Sequence, residues 1–107
     1  MPFHKLLRFA VRPEARTDVE RAMHELATYV RTELPRSGWT VYRDPQEPTH
    51  FTALVVAEDP AAMDRHFKAP GVVAFDAQLA PLLVGTLEIT DCELVTSSDL
   101  QRRHRKR

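Results

Sequence analysis

The chain has 107 residues, 43% of them apolar, which is the size and composition of one globular domain. Fifteen Lys and Arg match fifteen Asp and Glu, yet RRHRKR at residues 102–107 gathers five of the basic ones and leaves an acidic body. An acidic body excludes a nucleic-acid-binding face over the core, and the single cysteine, Cys92, excludes an internal disulfide. No apolar run approaches the ~20 residues of a membrane span, and no leader-like segment is present. The expectation is a cytoplasmic domain over residues 1–97, touching neither nucleic acid nor membrane, with 98–107 a disordered basic tail.

In chain order, FHKLLRFAV at Phe3–Val11 predicts the first strand. Phe3, Lys5, Leu7, Phe9 and Val11 share one face; His4, Leu6, Arg8 and Ala10 share the other. Pro13 ends it, having no N–H for a ladder. Thr17-Asp18-Val19-Glu20 then spells a capping box, and Val19, Met23, Leu26, Val30 and Leu34 follow at the spacing of an amphipathic helix. Pro35 and Gly38 stop that helix. Trp39–Arg43 predicts a second strand, and the two prolines of Asp44–Pro48 a turn into a third, Phe51–Val56. Asp59-Pro60 pairs an N-cap with a first-turn proline, and Ala61, Ala62 and Met63 carry a short helix that includes His66. Pro70-Gly71 breaks the chain before a further helical stripe, Val72 to Leu83, that ends near Pro81. Gly85 opens the last strand, Thr86–Val95.

The order β-α-β-β-α-β is the ferredoxin-like arrangement, an α+β fold. Its helices cover one face of the sheet. Leu6 beside Leu7, and Val55 beside Val56, put apolar groups on both faces, so the second face needs a cover as well. A second copy packed sheet to sheet supplies one, which predicts a homodimer. A chain this short buries only about two-thirds of its unfolded surface, so a dimer interface also helps its stability.

The centre of the chain, FTALVVAEDPAAMDRHFKAP at Phe51–Pro70, carries the pattern D-x-A-A-x-x-x-H in Asp59, Ala61, Ala62 and His66, with Pro70 soon after. This resembles the antibiotic biosynthesis monooxygenase family, and the likeness extends over about residues 3–95. The resemblance implies a dimeric α+β barrel with a pocket between sheet and helices. It implies oxygenation of a small electron-rich aromatic: a quinol, an anthrone or a polyketide-like phenol. No flavin, metal or haem cofactor is implied, because a deprotonated substrate can itself pass an electron to dioxygen. Many members carry Glu-x-Trp at the end of the third strand, where this chain has Val55 and Ala57. That departure motivates a second reading, a non-catalytic homodimeric small-molecule-binding or accessory protein; an isomerase or cyclase is a third. Related haem-degrading members use an asparagine, and this chain contains none.

His66 stands where the family has its histidine, as the candidate catalytic residue: a neutral imidazole accepts a phenolic proton near pH 7. The plainer reading is packing at a helix end beside Asp64 and Lys68. Arg8, Tyr29, Trp39 and Tyr42 are the candidate substrate-binding residues. Arg8 suits an oxyanion or an ion pair with Glu88 or Glu93; Tyr29 an inward hydroxyl or a snorkelling edge. Trp39 and Tyr42 alternate along one strand, so at most one of them faces a given pocket. His4, His24 and His50 show no metal-ligand spacing with each other or Cys92, so no metal site is expected. Cys92 reads as a small buried hydrophobe.

Overall fold

The structure is a computed structural model that describes residues 2–98. Beyond Ser98, the expected basic tail lies outside the described residues. Four strands, β1 (Phe3–Val11), β2 (Ser37–Arg43), β3 (His50–Ala57) and β4 (Leu83–Cys92), form one antiparallel sheet in the order β2-β3-β1-β4. Helix α1 (Arg16–Glu33) connects β1 to β2, while α2 (Pro60–Lys68) and α3 (Pro70–Leu79) connect β3 to β4. This is the ferredoxin-like topology that the order of elements predicts. The second connection is one helical arm broken at Ala69, whose extended φ −64°, ψ 138° ends α2 and precedes the proline of α3.

Alternation sorts each strand onto two faces. On the helix-covered face, Val41, Ala53, Leu7 and Ile89 form one cross-sheet row, and Trp39, Val55, Lys5 and Asp91 the next. The core sits here. Phe9 stacks on Phe51 with ring centroids 5.7 Å apart beneath Val19 and Met23 of α1. Leu26 and Val30 pack with Ala69 and Val72; Val55 and Ala57 pack with Ala62 and Met63 under α2. The small residues of β3 and α2 let that helix lie close on the sheet. On the other face, the rows are Thr40, Leu54, Leu6, Thr90 and Tyr42, Thr52, Arg8, Glu88, and none of α1, α2 or α3 lies over them.

Several boundaries differ from the sequence-based expectation: β2 starts at Ser37 rather than Trp39, and β3 runs over His50–Ala57 rather than Phe51–Val56. The Thr17–Glu20 capping box does not form. Pro13 starts a 3-10 turn that runs into α1 at Arg16, with Ala15 at the cap and no side-chain cap bond. Glu20 turns instead to Arg43 of β2, 2.8 Å from it, and this hydrogen bond holds its carboxyl below the usual carboxylate range. The last strand ends at Cys92 rather than Val95, because its partner β1 has only Phe3 left beyond the His4–Cys92 pair. It starts earlier, at Leu83, where Val11 and Ala10 still offer partners. The offset is absorbed by a bulge opposite Phe9, with Gly85 at φ +77°, a conformation that glycine adopts without strain.

Candidate functional site

Asp59 caps α2 as its sequence position predicts: its Oδ1 accepts from Ala62 N at 2.8 Å, and Pro60 fills the first turn. With α2 anchored there, Asp64 and Lys68 point outward and pair at 3.0 Å, whereas His66, two residues on from Asp64, turns inward. His66 is 1% exposed, the only buried polar residue among those described. Its Nδ1 lies 3.0 Å from Ser37 Oγ, and its ring meets Phe67 edge-on at 5.0 Å. Burial lowers its pKa from the ordinary histidine value, so the ring is neutral at pH 7.

His66 lines a cavity of about 30 Å³ between the sheet and the helices, walled by Leu7, Trp39, Val55, Phe67 and Phe75 among others. Asp76 of α3 also borders this cavity although the residue is exposed, and partial burial of its carboxyl raises its pKa from the ordinary carboxylate value. His66 and Asp76 are the titratable groups on an otherwise largely apolar lining. Toward the start of β1 lies a wider cleft of about 620 Å³, bordered by Phe3, Lys5, Met63, Ile89 and Cys92. Phe67 belongs to the walls of both. Its ring lies edge-on to the histidine.

Of the residues the sequence singles out, the structure brings His66 and Trp39 together. Trp39 packs edge-on against Phe75 at 6.1 Å and touches all three core clusters. Tyr29 lies over α3, so close that a Cβ on Gly71 would come within 2.6 Å of its ring, and it does not line the cavity. Arg8 and Tyr42 stand on the sheet face away from the helices, in one row with Thr52 and Glu88. Arg8 makes no ion pair with either glutamate, and Tyr42 is 61% exposed.

A family model described as antibiotic biosynthesis monooxygenase matches residues 2–78. The chain belongs to that family. Among solved structures of similar fold is Rv0793 from Mycobacterium tuberculosis, with TM-score 0.81 and 19% identity over 92% of this chain and 99% of that one. A variant of SnoaB, a cofactor-independent oxygenase from Streptomyces nogalater, has TM-score 0.76 and 21% identity over 90% of this chain and 95% of that one. A conserved protein from Methanosarcina mazei Go1 has TM-score 0.78 and 17% identity, covering 87% and 92%. No curated protein matches the sequence.

Val55 and Ala57, each 1% exposed, give the end of β3 compact apolar packing under α2. Sequence reasoning missed Ser37, Phe67 and Asp76. Ser37 sits beside Gly38, where the sequence signals the end of a helix rather than a strand, and nothing in its neighbours points to His66. Among the described residues no group of three His, Cys, Asp or Glu side chains is arranged to hold a metal ion, and no helix is long and apolar enough to cross a membrane.

Proposed function

We propose that this protein is a monooxygenase that oxidises a small electron-rich aromatic, a quinol, an anthrone or a polyketide-like phenol, with dioxygen and without a bound cofactor. The observation that carries the reading is the neutral imidazole of His66, buried in an apolar chamber next to Trp39. There it takes the phenolic proton, and the low dielectric leaves the substrate anion a strong electron donor. The substrate is the reductant: it loses two hydrogens, one oxygen atom joins its carbon, and the other leaves as water.

The chamber as it stands has room for a guest of water size. An aromatic ring enters when Phe67 turns and joins the chamber to the outer cleft. The reading includes a second copy of the chain over the open sheet face, where Leu6 and Leu54 stand side by side.

The test is oxygen consumption by the purified protein with a panel of quinols and anthrones. His66→Gln keeps a hydrogen-bonding side chain near Ser37 but removes the base, so uptake should fall by about 10²–10⁴-fold. Undiminished uptake in that variant takes His66 out of the mechanism. The buried Val55 and Ala57 favour a second reading, a binding protein without turnover. No uptake across the panel, with a melting temperature raised by one of the same compounds, selects it.

A further inference from the structure

We propose that Ser37 is a positioning residue for His66: it fixes the imidazole as the Nδ1–H tautomer and so turns the bare Nε2 toward the cavity. This deepens the reading above and rests on it for its meaning in catalysis, though the tautomer itself is measurable without a substrate.

Ser37 is the first residue of β2, and alternation with Trp39 and Val41 puts its side chain on the helix-covered face. Its Oγ has two neighbours, His66 Nδ1 at 3.0 Å and Leu34 O at 3.4 Å. Leu34 follows the last turn of α1, and its carbonyl also accepts Ser37 N at 3.0 Å. A carbonyl only accepts, and a hydroxyl has one proton to give. When that proton goes to Leu34 O, the free lone pair of Oγ accepts from Nδ1–H, and a chain of two hydrogen bonds runs from His66 through Ser37 to Leu34. The negative end of the α1 dipole draws the hydroxyl proton the same way. In the opposite arrangement Ser37 gives its proton to Nδ1 and the bond to Leu34 O is lost, which leaves one hydrogen bond where two were possible.

Nε2 is also the nitrogen with access. Among the described residues, His4 Nδ1 is the only fully buried side-chain nitrogen or oxygen without a partner. Nε2 of His66 has no hydrogen bond and yet is not in that class, so the little open surface of this residue includes Nε2. The lone pair and the opening coincide. A base is useful only where its lone pair can meet the substrate proton, and Ser37 provides that orientation from the strand opposite.

The experiment is a long-range ¹H–¹⁵N correlation spectrum of the histidine rings in the full-length protein, without ligand, above pH 7. Wild type should show His66 with a protonated Nδ1 and an unprotonated Nε2. Ser37→Ala should lose that pattern, moving the proton to Nε2 or averaging the two nitrogens, while Ser37→Thr, which keeps a hydroxyl, should restore it. A protonated Nε2 in wild type, or an unchanged spectrum in Ser37→Ala, overturns the proposal. With a turned-over substrate, Ser37→Ala should lower kcat by roughly tenfold with KM little changed, a part of the ~10²–10⁴ that a general base supplies. The expected spectrum together with no oxygen uptake by wild type would overturn the enzyme reading and leave the role of Ser37 intact.

Discussion

The two faces of this sheet are made by the same strands, and adjacent residues have opposite fates. On one side Val55 is 1% exposed under α2; on the other, Leu54 and Val56 lie half-open, away from α1, α2 and α3. Both sides carry apolar residues, but only one is covered by the described helices. The covered side holds the buried histidine, the interior cavity and all three core clusters, whereas the open side holds Arg8, Tyr42 and exposed Val84. A strand with apolar residues on both faces therefore carries two kinds of information: where the chain packs on itself, and where it expects something else to pack.

The sharpest way to break the comparison is to place one charge on each face. Val55→Asp buries an unpaired carboxylate at a cost of about 3–5 kcal/mol or more, a large share of the ~5–15 kcal/mol that hold a domain together. It should unfold the protein, as circular dichroism would record. Leu54→Asp, one residue away, should leave the fold standing and shift the mass in light scattering from dimer to monomer. A wild type already monomeric at micromolar concentration would refute the second copy.

A smaller effect is expected where the helices meet. Gly71→Ala forces a methyl against the Tyr29 ring and should lower stability by about 1–3 kcal/mol in denaturant titration, with no change in oligomeric state.

Acid gives a gentler probe of the covered face. His66 has a folded pKa below its ordinary value of about 6.5. Below that pH the unfolded chain takes up a proton that the folded chain refuses, so stability should fall as the pH drops, until the folded pKa is passed. His66→Gln should flatten this slope. Asp76, raised by burial, acts with the opposite sign nearer pH 4. The smallest change is Lys68→Ala, which removes an exposed pair with Asp64 and should move stability by no more than about 0.5 kcal/mol.

Much of this architecture is legible in the sequence, because it rests on local rules. The stripe from Val19 to Val30, the Asp59 cap and the alternation in Phe3–Val11 each depend on residues close in the chain, and each appears where expected. The capping box failed because the turn at Pro13 starts the helix early and puts Thr17 inside α1, while Glu20 pairs with Arg43, 23 residues away. Ser37 and His66, separated by 29 positions, meet only through the fold. The unread part of the site consists of such pairs. Local patterns state which face a side chain takes, not which distant side chain waits there.

Trp39 is the only tryptophan in the chain, and it forms part of the cavity wall while touching every core cluster. Its emission is therefore a built-in optical gauge of the chamber. An aromatic guest beside the indole should quench or shift that signal without any label. The same light, followed in time, would report how long the guest stays.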